Sequence, residues 1–130
     1  RTKGYQKAMA DAGLTPIVLT SDRDGVANTL KEYIKNNPLD AVIALDTDAS
    51  FASYKVARDL DKKIPQDMAV IGYVSERMAP YLAPELTTIN QHSYTMGKTA
   101  ATLLIEQLEN KSNNDHSVVI DSTLSQRASS

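Results

Sequence analysis

The chain has 130 residues, 14 Lys and Arg against 16 Asp and Glu, a net charge of −2, and 42% hydrophobic residues. A chain so composed is no disordered segment; a domain of this length buries roughly 65–70% of the surface its unfolded form exposes. No run approaches the ~18–20 apolar residues that span a bilayer. The mild acidity argues against a large nucleic-acid surface on these residues, and the absence of cysteine removes disulfides, thiolate metal sites and cysteine nucleophiles.

The chain opens on Arg1-Thr2-Lys3-Gly4-Tyr5, with neither an initiator Met nor a signal peptide, and reads as a piece of a longer protein. Tyr5, Ala8, Met9 and Ala12 share one helical face, and Gly13 suits the C′ position that ends the helix. Pro16-Ile17-Val18-Leu19 reads as a strand. Asp24 is placed to cap a second helix with Val26, Leu30, Tyr33 and Ile34 inward, stopped by Asn36-Asn37-Pro38. Ala41-Val42-Ile43-Ala44-Leu45 is apolar throughout, as in a strand covered on both faces. Thr47 or Asp48 then caps a third helix, with Ala49, Ala52, Val56 and Leu60 inward. Met68–Tyr73 and Leu86–Ile89 read as strands, Met96–Glu109 as an amphipathic helix through Met96, Ala100, Leu103, Leu104 and Leu108. Lys111–Asp115 is a polar turn, and Val118-Val119-Ile120 a last strand. Strands alternating with helices predict an α/β fold: an open, mainly parallel sheet with helices on both faces.

In such sheets ligands bind beyond the carboxyl ends of the strands, which singles out the residues after Leu45 and after Gly72. Asp48 is read as a helix cap and Asp46 as a polar ligand contact, a carboxylate accepting hydrogen bonds from hydroxyls or amines. The five glycines are scattered and form no phosphate-cradling loop. His92 and His116 lack metal-ligand spacing, so no metal or cofactor is expected. Ser75, His92 and Asp46 are the residue types of a catalytic triad, but Ser75 lacks a nucleophile-elbow sequence; no enzyme is expected. Phe51, Tyr54 and Arg58, at i, i+3 and i+7, lie on another face of the third helix from its alanines. With Tyr81 in the proline-broken apolar stretch Met78–Pro84, they suggest a homodimer interface.

Taken together, five segments in order resemble the effector-binding core of LacI/GalR-type bacterial transcription regulators, which share the type I periplasmic-binding-protein fold. They are Arg1–Tyr5, Asp40–Asp46, Ile64–Tyr73, Pro84–Gln91 and Leu124–Ser129. The resemblance implies a cytoplasmic regulator whose small effector, often a sugar, binds between two subdomains, with operator DNA read by an upstream helix-turn-helix. Residues 1–130 would be the C-terminal subdomain, with 93–130 belonging partly to the other subdomain, so that Met96–Glu109 exposes apolar surface. By the same resemblance Arg1 is an effector-binding arginine, Asp46 a polar contact and Gln91 a residue near the cleft. The position after Gly72-Tyr73, commonly Asp in the family, holds Val74, followed by Ser75; valine accepts no hydrogen bond from a sugar hydroxyl. A periplasmic or extracellular solute-binding protein of the same fold is the alternative reading.

Overall fold

The computed structural model describes residues 1–110 and 117–130; the predicted turn at Lys111–Asp115, and His116, lie outside the described residues. Helix α1 (Thr2–Asp11) has no buried residue. It ends in a Schellman turn: Gly13, at φ +70°, donates to Ala10 at 2.9 Å and Leu14 to Met9 at 2.8 Å. The segment predicted as a strand at Pro16–Leu19 is not one. A strand exists through its ladder bonds, and here Ile17 N–H instead donates to the Tyr5 hydroxyl at 3.2 Å. Ile17, Val18 and Leu19 stay exposed.

Helix α2 (Val26–Asn36) buries Leu30 and Ile34, on the face predicted from its spacing. Its N-cap is Gly25 rather than Asp24, because Asp22 Oδ1 takes the Gly25 N–H at 2.7 Å and tightens the turn before the helix. Asn37 is extended, the conformation a following proline enforces.

Strands β1 (Ala41–Ile43), β2 (Ala69–Gly72), β3 (Thr87–Asn90) and β4 (Thr123–Ser125) form one open sheet in that order. The β1–β2 and β2–β3 pairs are parallel, β3–β4 antiparallel. The sheet is therefore mixed; the crossover from β1 to β2 is helical, and a loop with a single 3-10 turn at Ala79–Tyr81 joins β2 to β3. Val118-Val119-Ile120, predicted as the last strand, is not paired, and Val119 is 84% exposed. The strand falls at Thr123–Ser125 because the residues just after it anchor the chain. Ser129 Oγ donates to Val70 O at 2.6 Å and accepts from Thr87 N–H at 2.8 Å. The Arg127 guanidinium donates to Leu86 O, Thr88 Oγ1 and Ser125 O and pairs with Glu76. Register is thus fixed by polar anchors, which a search for apolar runs does not see.

Helix α3 (Thr47–Asp59) buries Ser50, Ser53, Val56 and Ala57. The expected inward stripe of Ala49, Ala52, Val56 and Leu60 is rotated. The cause is the contact with β2: a Cβ on Gly72 would stand 2.4 Å from Ser50 Oγ and 3.2 Å from Leu86 Cδ2. Helix and strand approach that closely only with glycine facing serine. The serines are affordable in the core because both are satisfied: Ser50 donates to Asp46 O at 2.7 Å and accepts from Tyr73 N–H at 3.0 Å, and Ser53 donates to Ala49 O at 2.8 Å. The core joins Leu30 and Ile34 to Val56, Met68, Val70 and Leu86.

Helix α4 (Ser93–Asn110) keeps its apolar stripe in the open, Leu104 at 58% and Leu108 at 72% exposure. No helix among the described residues is long and apolar enough to cross a membrane.

Candidate functional site

The carboxyl ends of β1, β2 and β3 deliver three short segments to one cleft of about 570 Å³. After β1 the chain turns into α3, and this turn presents Asp46 and Thr47. Asp46, extended at φ −152°, caps α3: its Oδ1 accepts from Ala49 N–H at 2.7 Å. Capping therefore falls to Asp46, one to two residues before the expected Thr47 or Asp48, because only the residue preceding the first helical one reaches the orphan N–H groups. Asp48, in the first turn, instead pairs with Arg23 at 2.7 Å, an exposed contact. Thr47 Oγ1 donates to Tyr73 O at 2.9 Å and so ties the turn after β1 to the end of β2.

After β2 come Tyr73, Val74, Ser75, Glu76 and Arg77. Beyond β3, Asn90 Oδ1 accepts from His92 N–H at 2.8 Å and His92 adopts φ +52°. That bend turns the strand into α4 and leaves Gln91 on the cleft wall. A left-handed histidine costs of order 1 kcal/mol, held here by the Asn90 bond and by Thr123 Oγ1 at 3.1 Å from Nε2.

Arg1 joins the three segments. Its guanidinium donates to Leu45 O at 2.5 Å and to Gln91 Oε1 at 2.9 Å. Its face stacks on the Tyr73 ring, 4.2 Å from the centroid, a favourable cation–π distance. The five residues singled out for an effector, Arg1, Asp46, Val74, Ser75 and Gln91, all line this cleft. Val74 is nearly buried and belongs also to the core, so it offers the cleft little beyond an apolar wall.

Glu76 lines the cleft yet serves the fold. Oε1 accepts from Thr88 Oγ1 at 2.7 Å and Oε2 from Arg127. Partial desolvation pushes its pKa up, but hydrogen bonds from Thr88, Arg127 and Ser125, with the Arg127 charge, outweigh that and hold it below the usual glutamate range. Sequence reasoning missed Tyr73, Glu76 and Arg77. The Leu-x-x-Arg-x-Ser ending was the available signal for Glu76, since a buried arginine needs a carboxylate partner.

The four residues read as a dimer face divide. Phe51, Arg58 and Tyr81 are exposed, Tyr81 at 82%. Tyr54 is half-buried and donates to Pro84 O at 2.7 Å, bracing α3 against the loop that carries Tyr81. Burial raises its hydroxyl pKa, with a hydrogen bond to Ser129 acting the other way. Among the described residues no group of three His, Asp or Glu is placed to hold a metal ion.

Residues 1–130 match the periplasmic binding protein-like domain family. The chain is 33% identical over 118 residues to an HTH-type transcriptional repressor PurR of Photobacterium profundum, covering 85% of this chain and 35% of that protein. It is 30% identical to the HTH-type transcriptional regulator CelR of Thermobifida fusca, covering 99% and 40%. Among solved structures, a transcriptional regulator CelR–cellobiose complex superposes with a TM-score of 0.88 at 27% identity, over 98% of this chain and 41% of that one. A LacI family regulator of Enterococcus faecalis with bound ribose gives 0.82 at 28% identity, over 98% and 47%. The chain thus spans about two fifths of the length of the curated relatives it matches.

Proposed function

The chain belongs to the periplasmic binding protein-like domain family, with LacI-type regulators as its relatives, and from that premise we propose that it is the effector-sensing and dimerising module of a cytoplasmic transcription regulator. One observation carries the reading: Arg1, Asp46 and Gln91, far apart in sequence, converge on a cleft beyond the carboxyl ends of the parallel strands. Arg1 supplies fixed donors and Asp46 a carboxylate, which suits a small hydroxylated molecule such as a sugar or sugar derivative. The cleft is one wall of the binding site. Residues 93–130 belong partly to a second subdomain, a reading supported by the exposed stripe of α4. The relatives are regulators rather than transport components or enzymes, which favours regulation over solute capture or catalysis.

The dimer forms through Phe51, Arg58 and Tyr81, with Tyr54 holding the surface together from within. Operator DNA is bound by residues outside this chain. An electrophoretic mobility shift of the complete protein on its own promoter region tests the proposal. Retardation that changes when hydroxylated metabolites are added, and a response lost in Arg1→Ala, is the expected result. Absence of DNA binding, or a response indifferent to Arg1, refutes it.

A further inference from the structure

Both carboxylates that line the cleft are already engaged within the protein. Both oxygens of Glu76 are occupied by Thr88 and Arg127, and Asp46 gives one oxygen to the α3 cap. Val74 presents only hydrocarbon to the cleft. The donors are not spent. Arg77 lines the cleft, is exposed, and forms no ion pair among the described residues. Arg1 uses two of its five donors. Because Glu76 is already paired with Arg127, which does not line the cleft, the two lining guanidinium groups of Arg1 and Arg77 are left with the Asp46 carboxylate alone. The first turn of α4, whose Ser93, Tyr94 and Thr95 line the same cleft, contains no acidic residue, so its positive helix end is uncompensated from within the turn.

We propose that the molecule held here carries an acidic group, a carboxylate or phosphate on a small hydroxylated skeleton, that pairs with Arg77 and Arg1, while the remaining Asp46 oxygen accepts from a hydroxyl. The inference rests on the effector-cleft reading above and narrows it from sugars in general to sugar acids or sugar phosphates. A neutral sugar leaves Arg77 unused and meets only one free carboxylate oxygen, whereas an anion gains charge-assisted bonds of the stronger kind.

Calorimetry and thermal-shift titration of the complete protein with matched probes test this: glucose against gluconate and glucose 6-phosphate, and ribose against ribose 5-phosphate. The expected result is that one acidic probe binds at least about tenfold tighter than its neutral parent. Added salt narrows that advantage, and Arg77→Gln, an exposed change that leaves the fold intact by circular dichroism, removes most of it. The carboxylate and phosphate arms show which acid is preferred. Neutral sugars binding as tightly as their acidic partners, with Gln91→Ala weakening both, overturns the inference and leaves the effector cleft standing. Acidic probes whose affinity ignores Arg1→Ala, Gln91→Ala and Arg77→Gln alike sit elsewhere and overturn both. No binding by any of the five probes rejects the assigned ligand class.

Discussion

Replacing Arg127 by alanine tests how the cleft is held together. The side chain is 16% exposed and serves four acceptors at once: Leu86 O at 3.0 Å, Thr88 Oγ1 at 2.7 Å, Ser125 O at 3.3 Å, and Glu76. Breaking a fully buried ion pair by removing one partner costs about 3–5 kcal/mol, and an exposed pair about 0–1 kcal/mol. Glu76 is 36% exposed, so water recovers part of the loss and the expected cost is about 2–3 kcal/mol. With a urea m-value of about 1.5–2 kcal/mol/M, within the range for a small domain, the midpoint falls by roughly 1–2 M. Urea denaturation followed by circular dichroism reads this directly. Because Glu76 lies on the cleft wall and Arg127 follows β4, the loss also loosens the Val74–Arg77 segment, and effector affinity falls with it. A midpoint within about 0.2 M of wild type, against that 1–2 M expectation, refutes the argument that these anchors fix β4 and the cleft wall.

Glu76 also sets a pH dependence. Its folded pKa lies below the ordinary value, so its contribution to stability is complete at neutral pH and is lost as pH falls below about 5; a urea midpoint that declines less steeply with acid in Glu76→Gln than in wild type checks it. Gly72→Ala drives a methyl group against Ser50 Oγ at 2.4 Å and should cost about 1–3 kcal/mol in the same assay. Asp46→Ala should cost about 0.5–2 kcal/mol by loss of the α3 cap even without ligand, and Asp46→Asn much less; equal losses would separate Asp46 from capping. Phe51→Ala with Tyr81→Ala should shift the complete protein toward monomer in sedimentation by about 2 kcal/mol or more if these are central anchors, and unchanged association would place the interface elsewhere.

The helices and the parallel strands were legible because they follow apolar periodicity: α2 and α3, and the strands at 41–43, 69–72 and 87–90, lie where spacing predicts. The failures share a cause. Pro16–Leu19 and Val118–Ile120 have strand composition without ladder partners, whereas Thr123–Ser125 is a strand through the bonds of Arg127 and Ser129. The face of α3 was misjudged because Ser50 and Ser53 read as polar, and only the contact with Gly72 shows why small hydroxyl residues are needed inside. At the site, Asp46 was visible as a carboxylate after a strand. The stacking of Arg1, just before α1, on Tyr73, just after β2, joins positions far apart in sequence, and no local pattern announces it.

The most direct measurement of the central claim is calorimetry of the complete protein with the tightest-binding effector, comparing Arg1→Ala, Gln91→Ala and Val74→Ala. Removing the Arg1 charge from a desolvated contact should cost roughly 2–5 kcal/mol, a ~30- to 5000-fold loss of affinity. Gln91→Ala, which frees Arg1 from its 2.9 Å bond, should cost less, and Val74→Ala, which only trims an apolar wall, least of all. Arg1→Ala and Gln91→Ala both binding within about twofold of wild type, against the loss expected of a desolvated charged contact, would contradict the assignment of this cleft to the effector.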